Sequence, residues 1–223
     1  MANKEYIDKL ENIIKQMLTP LKDIPFNLVI ESLTGKKVIP FDTTNRDDLH
    51  ILELLEKSAI VAGKEVNRNG IASKRPNEVG NYVEPFVKKA LSEFGLKPDT
   101  PAGVKGKKKS TGYPDIIFSH NGEPYYLECK TYNLENIDTT QRSFYLSPSD
   151  DFKVIHDTHH FVISYEMYIS DRKGDINIYK CKNYKILSIE SLSVDVKYEF
   201  NSDNRRMYSG RNGTILLAEG KIA

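Results

Sequence analysis

The chain has no tryptophan, only two cysteines (Cys129 and Cys181) and almost no net charge. Two thiols are too few for a disulfide framework or a thiolate zinc site, and both fit a reducing compartment. No apolar run approaches the roughly 20 residues of a membrane span. The N-terminus, Met1-Ala2-Asn3-Lys4-Glu5, opens into a charged amphipathic stretch without a signal-peptide core, so a cytoplasmic location is expected. With 32 basic against 31 acidic residues and a net charge of +1, the chain cannot coat nucleic acid by bulk charge, although such a sum leaves local patches open. What is present suits a folded protein: 223 residues, 39% hydrophobic, with 13 Tyr and 9 Phe, enough to bury a sizeable core.

Helical periodicity comes first along the chain. Ile7, Leu10, Ile14, Met17 and Leu18 recur at helical spacing between Tyr6 and Leu18, and Pro20 ends the pattern. Phe26 to Phe41 carries two short apolar runs around Thr34-Gly35-Lys36-Lys37, readable as a hairpin or as a helix end followed by a strand. Leu49 to Val61 suggests a second helix closed by Gly63, followed by a polar, basic connection from Asn67 to Pro76. Asn77 can cap a third helix running to Phe94 and stopped by Gly95, with a kink or a later start at Pro85. Leu96 to Tyr113 reads as a mobile basic loop.

The period then changes to that of strands. Asp115–Ser119 and Tyr125–Thr131 flank an Asn121-Gly122 hairpin turn. Phe161–Ile169 and Ile176–Ile189 follow, separated by Asp171-Arg172-Lys173-Gly174, and then Val194–Phe200 and Thr214–Ala218. Helices followed by strands, without an internal repeat, indicate an α/β or α+β architecture with one mixed central sheet flanked by helices.

The chemistry concentrates in Gly112-Tyr113-Pro114-Asp115-Ile116-Ile117-Phe118 and Tyr125-Tyr126-Leu127-Glu128-Cys129-Lys130. Asp115 opens one strand, while Glu128 and Lys130 alternate on one face of its hairpin partner, so three ionisable groups converge. Two carboxylates suit Mg²⁺, which usually keeps waters and adds substrate phosphate. A neighbouring lysine can orient an attacking water and offset phosphate charge. The plainer reading is a solvated cross-strand Glu–Lys pair and a turn aspartate. Cys129 points the other way, into the core.

Pro114-Asp115 followed by Glu128-Cys129-Lys130 resembles the PD-(D/E)xK nuclease superfamily, and within it the stretch from Glu84 to Tyr132 resembles type II restriction endonucleases like EcoRV. The resemblance implies a restriction-endonuclease-like fold over residues 1–223, with a helical, dimer-forming region at 1–62, a catalytic core at 77–200 and a DNA-recognition loop at 201–213. It also implies Mg²⁺-dependent hydrolysis of double-stranded DNA at a short palindromic site by a homodimer, leaving 5′-phosphates and blunt ends, with Mn²⁺ able to substitute. A cognate DNA methyltransferase would belong to the same system. By this likeness Asp115 and Glu128 ligate the metal, Lys130 positions the water, and Glu84, with Glu78 as competitor, supplies the helix acid for a second metal or for water.

Local charge supports a DNA partner despite the neutral sum. Lys97 to Pro114 holds five Lys and one Asp, and Asn201 to Gly213 holds three Arg and one Asp. Lys105, Lys107, Lys108, Lys109, Lys74 and Arg75 are candidate phosphate contacts. Asn201, Asn204, Arg205, Arg206, Arg211 and Asn212 are of the types that read adenine and guanine edges. A structure-specific or repair nuclease, and a DNA-binding module without catalysis, remain alternatives. His156, His159 and His160 lack the cysteine or carboxylate spacing of a tetrahedral metal site.

Overall fold

In the computed structural model, which describes residues 3–19, 21–133, 144, 146 and 149–196, helices dominate the first part of the chain, with two short strands between them, and strands the second. Helix α1 (Lys4–Leu18) is capped by the Asn3 side chain, which accepts from Glu5 N, and ends at Thr19. After β1 (Leu21–Pro25), helix α2 (Phe26–Thr34) buries Phe26 and Ile30 one turn apart and closes on Gly35 in the left-handed region, φ 68°. The Phe26–Phe41 segment is therefore a helix followed by irregular chain with a single bridge, Val38 to Thr158, and neither a hairpin nor a full strand. Two buried residues at i and i+4 decide for the helix where composition alone leaves the period open.

Helix α3 (Arg46–Asn69) starts at Asn45, whose side chain accepts from the backbone N–H groups of Asp47 and Asp48. It does not stop at Gly63. The helix runs six residues further, because Gly63 is a packing position: a Cβ there would lie 3.4 Å from the Tyr165 ring. The true stop is Gly70, φ 69°. What reads as a polar connection from Asn67 is thus the helix end, then strand β2 (Ile71–Ser73) and a 3₁₀ turn, Pro76–Glu78. Helix α4 (Val79–Glu93) begins after that turn, not at an Asn77 cap, and is continuous through Pro85. Pro85 is exposed, so the carbonyl that loses its intrahelical donor can be served by water. Val79, Val83, Val87, Ala90 and Leu91 form its buried stripe.

The remaining strands are β3 (Lys97–Asp99), β4 (Ile116–His120), β5 (Glu123–Tyr132), β6 (His160–Lys173), β7 (Ile176–Ser188) and β8 (Ser193–Val196). Six form one sheet in the order β2-β7-β6-β5-β4-β3, parallel between β5 and β6 and antiparallel elsewhere. Asp171 to Lys173 belongs to β6, and only Gly174 and Asp175 make the turn. Helices α3 and α4 pack together on one face, and the core between them and the sheet includes Leu55, Val66, Val83, Leu91, Ile116, Leu127, Ile163 and Tyr165. This is the mixed, helix-flanked α/β sheet expected of a restriction-endonuclease-like fold. Burying it removes roughly 1.5–3 kcal/mol of unfavourable hydration per large side chain.

The expected mobile loop from Leu96 to Tyr113 is tied down. It contributes edge strand β3 and a bridge between Ala102 and Lys108. Asp151 accepts from Lys105 N and pairs with the Lys109 ammonium.

The chain divides into two compact units, Ile24–Ser193 and a smaller one made of Met1–Asp23 with Val194–Ala223. In the smaller unit the described elements are α1, which buries none of its residues, and the β1–β8 pairing. Residues 197–223, with the recognition-loop candidates Asn201, Asn204, Arg205, Arg206, Arg211 and Asn212 and the Thr214–Ala218 strand, lie outside the described residues. Among the described residues no helix is long and apolar enough to cross a membrane.

Candidate active site

Strand register brings the acids together. Ile116 faces Leu127 across the β4–β5 hairpin, so Asp115, one residue before β4, stands opposite Glu128. The turn that sets this register has positive φ at both Asn121 (53°) and Gly122 (90°), which suits this dipeptide. Each carboxylate is held by the other residue's strand: Asp115 N donates to Glu128 Oε2 at 3.1 Å, and Cys129 N donates to Asp115 Oδ2 at 2.9 Å. Lys130 Nζ donates to Glu128 Oε1 at 2.6 Å. The hairpin therefore fixes two carboxylates and an ammonium within a few ångströms.

Their surroundings are dry. Glu128 is only 4% exposed, while the Lys130 side chain is 30% exposed and reaches the surface. Burial first, and then the Asp115 charge, push the Glu128 carboxyl up to about 7, against the pull of Lys130. Burial also raises Asp115, opposed by the Cys129 N–H and Lys130 and reinforced by Glu84. A buried and a half-buried acid that resist ionisation while facing each other form a site that gains from a cation. Cys129 is buried on the opposite face, and burial raises its thiol well above the ordinary range, so it is a core residue and no nucleophile.

Glu84 on α4 belongs to this neighbourhood, since its charge acts on Asp115. Its carboxylate pairs with Lys88 at 2.6 Å. Glu78 is engaged elsewhere, near Ser73 Oγ at 3.4 Å and Arg75 at 3.9 Å. Among the described residues no group of three His, Cys, Asp or Glu side chains is arranged to hold a metal ion by itself. A cation here would rest on the Asp115–Glu128 pair.

The basic candidates separate. Lys108 pairs with exposed Asp99, 2.7 Å from both carboxylate oxygens, and Lys109 with Asp151. Lys105 and Lys107 are exposed on the loop before Asp115. Lys74, 3.9 Å from Asp175, and Arg75 follow β2, at the sheet edge opposite β3.

Sequence reading missed Lys153. It lies in irregular chain before β6 and is 4% exposed, with Nζ donating to the Gly112 and Pro114 carbonyls at 2.5 and 2.6 Å. Burial lowers its ammonium's affinity for the proton, and the charges of Asp115, Glu128 and Glu84 oppose that fall. No periodicity marks a lone lysine in coil, so no signal in the sequence could have selected it. Beside it, Tyr113 follows Gly112 into a cis peptide with Pro114, and its hydroxyl lies 2.6 Å from His160 Nδ1. His159 is 3.5 Å from Asp48. His159 and His160 are thus packed against neighbouring aromatic rings and polar groups.

Comparison with known proteins gives a consistent result. Residues 20–211 match the sequence model of the family described as "Type II restriction enzyme MjaV family". The chain is 35% identical over 224 residues to "Type II restriction enzyme MjaV" of Methanocaldococcus jannaschii, covering 93% of this chain and 95% of that protein. No solved structure matches.

Proposed function

From its membership of the type II restriction enzyme MjaV family, which makes the chain a site-specific deoxyribonuclease, we propose that it hydrolyses double-stranded DNA at a PD-(D/E)xK centre built from Asp115, Glu128 and Lys130. The observation that carries this reading is the interlock of the three groups on one hairpin. Hydrolysis of a phosphodiester requires a water aligned with the scissile bond and stabilisation of charge growing on the phosphate oxygens. Lys130, paired with Glu128 yet reaching the surface, positions that water and offsets the phosphate charge. Glu84 adds a third acid, orienting water or ligating a second cation.

Mg²⁺ fits the donor set, since the buried Glu128 and half-buried Asp115 carboxyls face each other with both held above their ordinary values by burial, and this ion takes one or two protein carboxylates with water and phosphate. When bound, it supplies Lewis-acid polarisation of the phosphate and acidifies a ligated water. Asp115 and Glu128 would hold it, and Mn²⁺ would substitute. The finer expectations belong to the same reading: a two-fold homodimer on a palindromic site, 5′-phosphate and blunt ends, a cognate methyltransferase, and phosphate contacts from exposed Lys105 and Lys107.

Plasmid digestion by the purified protein with Mg²⁺, followed by run-off sequencing, tests activity, site and cut position together. Discrete double-strand cuts at one short sequence are expected, whereas scattered nicks would point to a structure-specific nuclease. Asp115→Ala and Lys130→Ala should each slow cleavage by ~10²-fold or more without loss of fold. Either variant cutting at the wild-type rate overturns the assignment.

A further inference from the structure

The site described above uses Asp115, Glu128 and Lys130 of the hairpin with Glu84 of α4, and sequence reading accounts for all four. Lys153 is not among them, yet the segment that delivers Asp115 hangs from it. Gly112, Tyr113 and Pro114 are irregular chain just ahead of β4, so no sheet ladder fixes their carbonyls. Lys153 Nζ donates to two of the three, Gly112 O at 2.5 Å and Pro114 O at 2.6 Å. Pro114 O belongs to the peptide whose nitrogen is that of Asp115, and that same N–H donates to Glu128 Oε2 at 3.1 Å. The Asp115 peptide unit is therefore gripped on both sides, by an ammonium on its oxygen and a carboxylate on its nitrogen.

Burying an ammonium is costly unless its protons find acceptors. A lysine placed 4% exposed therefore signals a role that a neutral side chain does not fill. Its own segment is anchored too. Tyr126 Oη donates to the Lys153 carbonyl at 3.2 Å and accepts from Ile155 N at 2.8 Å. Tyr126 is fully buried on β5, two residues before Glu128. The lysine thus ties the coil before β6 and strand β5 to the backbone that carries Asp115.

We propose that Lys153 is a positioning residue for hydrolysis, holding Asp115 in register with Glu128 through the Gly112 and Pro114 carbonyls without touching DNA. This rests on the nuclease reading above. A geometry held by charge-assisted hydrogen bonds matters because small displacements of a reacting group cost large factors in rate.

The test separates chemistry from binding. Lys153→Met keeps the volume of the side chain and removes the donors. It should lower the single-turnover cleavage rate by ~10²-fold and weaken Mn²⁺ binding, read by calorimetry without DNA, by about tenfold, while affinity for cognate DNA in EDTA stays within threefold. In Lys153→Ala, added n-propylammonium should restore part of the rate, and an equal ionic strength of sodium chloride should not. A folded Lys153→Met that cleaves at the wild-type rate overturns the proposal. So does a loss of DNA affinity in EDTA that matches the loss of rate. Should the variants fail to fold, competitive amine acetylation of the wild-type protein decides: Lys153 is expected to be protected with and without DNA. Protection only in the presence of DNA would make it a DNA contact and refute the assignment. Failure of the nuclease reading itself would show separately, as wild-type protein without cleavage or Asp115→Ala with full activity.

Discussion

His160 offers a quantitative test of how the fold treats its buried polar groups. The ring is fully buried among Phe26, Tyr113 and Tyr126, with Nδ1 on the Tyr113 hydroxyl. Its Nε2 has no hydrogen-bond partner among the described residues. A charged imidazolium would need acceptors at both nitrogens, and burial, followed by the nearby His159, holds the group down to about 3 from its ordinary 6.5. Because the folded value is depressed, the folded state binds the proton less readily than the unfolded chain. The contribution is fully present above pH 6.5 and is lost as pH falls toward 3. The whole interval corresponds to about 5 kcal/mol, and about half of it separates pH 7.5 from pH 4.5.

The perturbation is His160→Asn, which keeps an acceptor for Tyr113 but does not titrate. Urea unfolding of both proteins in EDTA at the two pH values gives a double difference in which any constant packing cost of the substitution cancels. Asp115 and Glu128, raised in the folded state, act in the opposite sense: their contribution is present at low pH and lost as pH rises through their folded values. Both proteins share it, so it cancels as well. The wild type should lose about 2–3 kcal/mol relative to the variant on acidification. A double difference below about 0.5 kcal/mol, or one of opposite sign, would refute the reasoning.

Other consequences follow from single contacts. Asn67 clamps α3 to β7 with both halves of its amide, donating to Cys181 O at 2.9 Å and accepting from Cys181 N at 2.6 Å. Asn67→Ala should destabilise the protein by about 2 kcal/mol in urea unfolding, since it strands a backbone donor and acceptor. Gly63→Leu should cost about 1–3 kcal/mol by overpacking against Tyr165, read as a lower melting temperature. If Lys105 and Lys107 each neutralise one phosphate per subunit of a dimer, the double alanine variant should flatten the slope of log affinity against log salt by about 3.6. An unchanged slope in filter-binding titrations would remove these lysines from the interface.

How far the sequence reached differs from element to element. Helices α1 and α4 and hairpin β4–β5 were legible because each carries its own signal: a 3.6-residue apolar period, a stop glycine, an Asn-Gly turn between two apolar runs. Gly63 misled because glycine ends many helices, and only the Tyr165 ring arriving from β6 shows that this one makes room instead. The basic loop looked mobile because its main anchor, Asp151, lies far along the chain, 46 residues from Lys105. For the site, strand alternation and the turn were enough to place Asp115, Glu128 and Lys130 together, since a hairpin converts sequence spacing directly into register.

The sequence by itself determined the local periods, the hairpin register and hence the residue types at the site's centre. Tertiary structure alone decided that Glu84 and not Glu78 acts on Asp115, that Lys109 pairs with Asp151, and that Lys153 is buried against the Gly112 and Pro114 carbonyls. Each of these depends on which segments meet after folding and on how much water their meeting excludes. Both are properties of the packed chain as a whole, and neither is encoded in any one stretch of it.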